Sequence, residues 1–193
     1  AMFGIEDVCR LLDLTENNGI RVWLDGGCGV DALLGFQTRN HDDIDLLVAR
    51  ADRERLLQLI RQDGFREVKK EYTTPDHSVW EDDRGRVVDL HFIGFDASGN
   101  ILFEGETYPG RVIDGVGTIA NRKVGCLNAE AQVEFHCGYP HDRNDVRDVA
   151  ALCRTFGIPV PPEYRAEAEP SRAEGPASSP TGVRCRPVRP ERK

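Results

Sequence analysis

The chain has 193 residues and a formal net charge of -8, with 39% hydrophobic and 30% charged residues. This length and composition fit a globular protein of one domain with a short appendage, and they exclude a fibrous or wholly disordered chain. The acidic balance argues against a nucleic-acid partner, because the phosphate backbone demands a basic surface. No apolar run approaches the ~18 residues that a bilayer span requires, so we expect no membrane partner either.

The first residues and the cysteines indicate the compartment. Residues 1–16 contain acids and no basic stretch before an apolar one, unlike a signal peptide. The six cysteines form no CxxC pair and fit no zinc motif. We therefore expect a cytoplasmic protein whose thiols are free.

Helix and strand patterns alternate along the first part of the chain. Apolar residues three and four apart predict helices, short apolar runs predict strands, and each predicted helix ends at a glycine. From the N-terminus onward the predicted elements are a helix over 5–19, a strand over 21–24, a short helix from Val30 to Gly35, a strand over 44–48 and a helix over 52–64 capped by Asp52.

Strand patterns predominate after residue 64, and helices return near the end. The predicted strands cover 65–70, 78–82, 87–93, 117–119 and 123–126, and the predicted helices cover 129–137 and 142–156. The fold class is therefore α/β (α+β), a small mixed sheet flanked by helices with a short C-terminal helical part. We divide the chain into a domain over 1–127, a helical segment over 128–164 and a disordered tail over 165–193 that is poor in large apolar residues.

Three carboxylates interrupt two apolar strands. Side chains alternate along a strand, so Asp43 and Asp45 point to one face with Cα atoms about 6–7 Å apart. Asp89 takes the same kind of position in the later strand, with His91 on its face. If the two strands are neighbours, three carboxylates converge, and their repulsion favours a divalent cation such as Mg²⁺. A solvated strand edge is the alternative interpretation.

A pair of glycines, Gly26 and Gly27, lies between a predicted strand and the next helix. Glycines at such a junction let the backbone approach a phosphate, and a helix N-terminus supplies unpaired N–H donors. The spacing matches neither GxxxxGK[ST] nor GxGxxG. An ordinary turn is the alternative.

At these residues the sequence resembles the nucleotidyltransferase superfamily of the polymerase beta type, and within it the small lincosamide nucleotidyltransferases, which are antibiotic-resistance enzymes. The resemblance covers about residues 5–164. It rests on the segments VWLDGGCGVDALLGFQTRNHDDIDLLV, GRVVDLHFIGFDASGN and DRNDVRDVAALCRTFGIPVPPEY. Aminoglycoside nucleotidyltransferases share the region of Asp43 and Asp45 but are less similar over the C-terminal half.

The resemblance implies a nucleotidyltransferase fold, with its catalytic domain over 1–127, and an activity. The implied enzyme is Mg²⁺-dependent and moves AMP from ATP, or NMP from another triphosphate, to a hydroxyl of a small acceptor, with a lincosamide antibiotic as the first candidate. An aminoglycoside, another small molecule or a protein hydroxyl stays open as acceptor. A catalytically silent nucleotide-binding module is the alternative of another class, and a homodimer is left open.

The resemblance also implies residue roles. Asp43, Asp45 and Asp89 match the metal ligands, and Asp89 also matches the base that takes the acceptor proton. The predicted nucleotide-binding residues are Gly26, Gly27, Cys28 and Arg39. Cys28 departs from the pattern, because much of the superfamily has Ser there and the subfamily typically has Trp.

Two further residues are candidates for acceptor binding. His91 shares a strand face with Asp89, although a half-buried strand histidine is an equal alternative. Asp145 shares a helix face with Asp148 and could line an acceptor cleft. A solvated charged surface is the alternative for this helical pair.

Overall fold

The computed structural model describes residues 2–165. Over this range the chain forms five α-helices, nine β-strands and three 3-10 helices. The helices are α1 Ile5–Asn17, α2 Gly26–Leu34, α3 Arg53–Gln62, α4 Ala129–Phe135 and α5 Arg143–Phe156. The strands are β1 Val22–Asp25, β2 Asp43–Ala49, β3 Arg66–Val68, β4 His77–Glu81, β5 Val87–Phe95, β6 Ile101–Phe103, β7 Glu106–Tyr108, β8 Gly115–Ile119 and β9 Arg122–Cys126. The tail predicted over 165–193 lies outside the described residues, apart from Arg165.

The predicted mixed α/β architecture is confirmed. The sheet has the strand order β3-β4-β5-β2-β1-β9-β8, and β6 and β7 continue from the end of β5. β2 runs parallel to β5 and β1 runs parallel to β9, whereas the other pairs are antiparallel. Two compact units divide the chain: Ala1–Asn128, which holds the whole sheet, and a second unit that begins at Ala129.

One face of the sheet carries the main hydrophobic core of the first unit. Alternate residues of the central strands enter this core together with apolar residues of α1 and α3. The strand residues are Leu24, Ile44, Leu46, Val48, Val88, Leu90 and Phe92. Burial of each such side chain contributes ~1.5–3 kcal/mol of stability. Because a slip of one residue would turn these side chains away from the core, their burial also determines which residues lie on the opposite face of the sheet.

The second helix begins four residues earlier than its apolar spacing predicts. Asp25 is its N-cap, and Asp25 Oδ1 accepts a hydrogen bond of 2.7 Å from Gly26 N. The two glycines are therefore the first turn of α2 rather than a turn before it. Gly35, in the left-handed conformation at φ 80°, ends the helix where the sequence predicts.

Two other details differ from the sequence predictions. A 3-10 turn over Arg50–Asp52 precedes α3, so Asp52 has helical backbone angles and makes no side-chain cap bond. The hairpin of β6 and β7 was not predicted, because each strand has only three residues. Its turn holds Glu104 and Gly105 at positive φ.

The second unit is held together at the start of α5 and after its end. Asp142 caps α5 as predicted, since its side chain accepts from the N–H groups of Asn144 and Asp145. Tyr164, almost fully buried, donates its hydroxyl to the carbonyl of His136. Among the described residues of both units, every helix is too short or too polar to cross a membrane.

Candidate active site

Three aspartates form one row across three neighbouring strands. Asp25 of β1 pairs with Asp45 of β2, and Asp45 pairs with Asp89 of β5. Neighbouring strands lie about 4.8 Å apart, so the three carboxylates are adjacent on the face opposite the main core. Asp43, two residues before Asp45, projects from the same face. The structure thus brings together the three carboxylates that the sequence singled out and adds Asp25, which was missed.

Asp45 and Asp89 are buried, whereas Asp25 and Asp43 are half-buried. Asp45 is 3% exposed and Asp89 6%. Burial raises the pKa of Asp45, and the charges of Asp43 and Asp89 add to the rise. Burial also raises the pKa of Asp43, and the negative charge of Asp89 adds to this rise. Clustered oxygen donors whose negative charges oppose one another are the ligand set that suits a hard divalent cation such as Mg²⁺.

Asp89 differs from its neighbours because two histidines face it. His77 Nε2 lies 2.7 Å from Asp89 Oδ1, and His91 Nε2 lies 3.3 Å from the same oxygen, at ion-pair distance but without hydrogen-bond geometry. Burial would raise the pKa of Asp89, but the interactions with His77 and His91 outweigh it and hold that pKa below its ordinary value. The two histidines therefore hold Asp89 as a carboxylate.

His77 is a site residue that sequence reasoning missed. It lies on β4, where it pairs with His91 across the ladder and reaches Asp89 diagonally. Nothing local marks it, because only the pairing of β4 with β5 brings the two residues together. His77, Asp89 and His91 place one ligand atom each within 4.8 Å of one another.

His91 lies in an aromatic cluster rather than at an open edge. Its ring stacks on Phe103 at a centroid distance of 5.5 Å and meets His77 edge-on at 4.4 Å. Burial lowers the pKa of His91, but Asp89 reverses this and raises it. Two residues further along these strands, the next row on the same face consists of rings and an apolar side chain instead of carboxylates. From β1 through β2 and β5 to β4, its cross-strand neighbours are Trp23, Leu47, His91 and His77.

The two glycines at the start of α2 are required by close contacts. Gly26 has φ 55°, and a Cβ there would lie 2.1 Å from Asp45 Oδ2. A Cβ at Gly27 would lie 2.4 Å from His41 Nδ1 and 2.7 Å from Arg39 Nη2. The glycines therefore let the first turn of α2 touch the carboxylate row on one side and a basic pair on the other.

The main-chain donors of this turn point away from the helix. The first N–H groups of an α-helix have no acceptor within it, and here they belong to Gly26, Gly27 and Cys28. Asp25 satisfies the first of them. Arg39, half-buried, packs against Gly27, and its positive charge opposes the rise in the pKa of Asp43 and of Asp45.

Cys28 lies in the hydrophobic core, with its Sγ 4.0 Å from the carbonyl oxygen of Asp43. Burial raises the pKa of this thiol well above its usual value, and Asp45 adds to the rise. The side chain is thus a neutral packing group, in contrast to the phosphate ligand that the resemblance implied. The nucleotide-binding role of Cys28 is left to its backbone N–H in the first turn of α2, and it stays a prediction.

Asp145, in the second unit, has a local structural role. Its Oδ2 accepts from Asp142 N at 2.8 Å, and its Oδ1 lies 3.3 Å from the hydroxyl of Tyr139. Asp148 is buried rather than part of a solvated surface. The acceptor role of Asp145 stays a prediction.

Comparison with known proteins adds to this geometry. The family model described as aminoglycoside-2''-adenylyltransferase matches residues 7–152. A lincosamide resistance protein of Staphylococcus haemolyticus is 30% identical over 159 residues, which are 76% of this chain and 92% of that protein.

Two solved structures are similar as well. The lincosamide antibiotic adenylyltransferase LnuA with lincomycin bound matches with a TM-score of 0.71 and 27% identity, over 82% of this chain and 100% of that one. ANT(2'')-Ia in complex with adenylyl-2''-tobramycin matches with a TM-score of 0.61 and 19% identity, over 85% of this chain and 94% of that one. The second likeness shows the fold alone.

Proposed function

Because the chain belongs to the aminoglycoside-2''-adenylyltransferase family and is a nucleotidyltransferase, we propose that it moves AMP from ATP to a hydroxyl of a lincosamide antibiotic, with Mg²⁺ as the cofactor. The observation that carries the proposal is the row of carboxylates across β1, β2 and β5. Asp43, Asp45 and Asp89 offer the oxygen ligands, and Mg²⁺ bound there would neutralise the triphosphate and make the acceptor hydroxyl more acidic.

Asp89 acts as the general base in this proposal. The acceptor oxygen forms a bond to the α-phosphorus of ATP, the bond from that phosphorus to pyrophosphate breaks, and the hydroxyl proton passes to the Asp89 carboxylate. His77 supports this role, because its bond to Asp89 Oδ1 leaves the other oxygen available and keeps the group ionised.

The first turn of α2 binds the triphosphate. The N–H groups of Gly27 and Cys28 are oriented as donors, and a helix N-terminus favours negative charge. Arg39 supplies a guanidinium beside Gly27, which is the geometry for a charge-assisted bond to a phosphate oxygen. Gly26 keeps this turn in contact with Asp45, so phosphate and metal groups share one small site.

A lincosamide is the first candidate acceptor, because the relative that is 30% identical to this chain is a lincosamide resistance protein. Trp23 and Leu47 continue the row of His91 on the face that carries the aspartates, and Phe95 beside Trp23 is 46% exposed. Phe95 is therefore the residue of this group that an acceptor can reach first, because Trp23, Leu47 and His91 are buried. His91, whose Nε2 lies 3.3 Å from Asp89 Oδ1, is the proposed acceptor contact on this face.

Adenylylation of an aminoglycoside is the second candidate, because the matching family model carries that activity in its description. A panel of acceptors with ATP labelled at the α-phosphate separates the two. We expect lincosamides to gain label and mass in the presence of Mg²⁺. Labelling of aminoglycosides alone would replace the lincosamide assignment, and binding of nucleotide without transfer to either class would support the silent module.

The same assay tests the site through a matched pair of variants. Asp43→Asn removes a proposed ligand, and we expect transfer to fall by at least 100-fold. Asp42→Asn makes the same change at the preceding exposed residue and is expected to stay within threefold of the unmodified protein. Near-normal transfer by Asp43→Asn would refute the proposed function.

A further inference from the structure

We propose that Asp31 and His41 are positioning residues that hold Arg39 at the triphosphate-binding turn, through a buried relay of hydrogen bonds. His41 Nε2 lies 2.5 Å from Asp31 Oδ2, and His41 Nδ1 lies 2.7 Å from Arg39 Nη1. Asp31 and His41 are each 2% exposed. The inference rests on the proposed function, in which Arg39 binds ATP, and it gives that site a second layer that the sequence did not reveal.

The chemistry of the three side chains fixes the direction of the relay. A guanidinium can only donate, so the Nδ1 of His41 accepts from Arg39. The ring proton then lies on Nε2, which donates to the carboxylate of Asp31. The relay therefore runs from Arg39 through His41 to Asp31, and it defines one tautomer of the imidazole.

Asp31 is itself fixed from two sides. It lies on α2, so it moves with the helix whose first turn carries the phosphate donors. Its Oδ1 accepts from Thr38 N at 2.9 Å and from Thr38 Oγ1 at 2.6 Å, while Oδ2 faces His41. Both carboxylate oxygens are thus engaged, and the segment between α2 and β2 is tied back onto the helix.

Contact with Gly27 places the relay at the site. A Cβ at Gly27 would come within 3 Å of both His41 and Arg39, so these side chains pack directly on the first turn of α2. Arg39 keeps partial exposure, whereas His41 behind it is buried. A long flexible arginine is thereby restricted before ATP arrives, which reduces the entropy lost on binding.

A purely structural role for Asp31 is the competing explanation, and Thr38 supplies the control. Thr38→Val removes one hydrogen bond from the same carboxylate but leaves the relay to Arg39 complete. If Asp31 only ties the segment down, Thr38→Val and Asp31→Ala both reduce thermal stability and neither changes the KM for ATP.

The decisive experiment is a double-mutant cycle on the KM for ATP, measured at saturating acceptor. We expect Asp31→Ala to raise this KM roughly tenfold with kcat within threefold, because a binding interaction is weakened. Asp31→Asn, which keeps an oxygen acceptor, is expected to fall between, and Thr38→Val to leave the KM unchanged. In an Arg39→Gln background, Asp31→Ala should cause no further rise, since its effect passes through Arg39.

A readout without turnover separates this inference from the proposed function. Imidazole-nitrogen NMR should show His41 as the Nε2–H tautomer, and the Nδ1 signal should shift in Arg39→Gln. If no acceptor is found, the affinity for a non-hydrolysable ATP analogue is measured in the cycle instead of the KM. If Asp31→Ala does not fold, Asp31→Asn takes its place. Equal effects of the Asp31 change with and without Arg39, an unchanged KM in Asp31→Ala, or an Nδ1–H tautomer would each overturn the relay.

Discussion

Replacing Gly26 by alanine tests how closely α2 is fitted to the carboxylate row. The added Cβ would lie 2.1 Å from Asp45 Oδ2, and φ at this position is 55°. Ordinary contact requires the carboxylate to move by roughly 1 Å, and the buried surroundings of Asp45 resist such a shift. The left-handed backbone adds about 1–2 kcal/mol of strain for a residue with a Cβ.

We therefore expect Gly26→Ala to lose ~100-fold in turnover, the usual consequence of moving a catalytic group by about 1 Å. Its free energy of unfolding should fall by about 1–3 kcal/mol. Initial rates with saturating ATP, Mg²⁺ and acceptor measure the first effect, and denaturant unfolding measures the second.

Gly19→Ala is the matched control. Gly19 has φ 64°, close to that of Gly26, but a Cβ there meets nothing within 4 Å. This variant should lose similar backbone stability and keep its turnover within twofold. Full turnover in Gly26→Ala, or an equal loss of turnover in Gly19→Ala, would refute the claim that the close contact of Gly26 with Asp45 positions this carboxylate.

Three further changes probe other parts of the molecule. His77→Ala should lower kcat about tenfold or more and change the KM for ATP little, because Asp89 loses its 2.7 Å partner; unchanged kcat would remove His77 from the site. Cys28→Ser should keep turnover and lose ~1–2 kcal/mol of stability, since it places a hydroxyl in the core; tighter ATP binding would instead show that residue 28 faces the phosphates. Burial raises the pKa of Asp82, but hydrogen bonds from Arg86 and from the N–H of Arg84 lower it overall. The ionised Asp82 side chain therefore stabilises the fold above its unfolded pKa of ~4, and this stabilisation is lost as the pH falls through the lowered pKa of the folded state. Asp82→Asn should therefore be less stable by about 1–3 kcal/mol at pH 7, with a difference that shrinks below about pH 4, and a constant difference across that range in denaturant unfolding would contradict the assignment.

Local patterns were sufficient to locate the strands that carry the carboxylates. The alternation around Asp43, Asp45 and Asp89 predicted one polar face, and the structure has these residues on adjacent strands facing away from the core. Alternation gives the face of each residue, but it carries no information on which strands are neighbours. Asp25 was therefore missed, although it lies in the same row.

The supporting residues depend on distant contacts. His77 reaches Asp89 only through the pairing of β4 with β5, and Asp31 reaches His41 across the segment between α2 and β2. The sequence singled out the glycine pair for only one of the reasons that glycine is needed there. The sequence indicated a close approach to phosphate, whereas the structure adds close contacts of Gly26 with Asp45 and of Gly27 with His41.

Turnover of Asp45→Asn as Mg²⁺ is added back to the chelator-treated protein tests the central claim most directly. Burial raises the pKa of Asp45, so the ionised group costs stability at neutral pH and the variant should unfold at a temperature no lower than the unmodified protein. The carboxylate row predicts that the unmodified protein is inactive without metal and recovers with Mg²⁺, while Asp45→Asn stays at least 100-fold slower at saturating Mg²⁺. Transfer without metal, or near-normal transfer by Asp45→Asn, would contradict it.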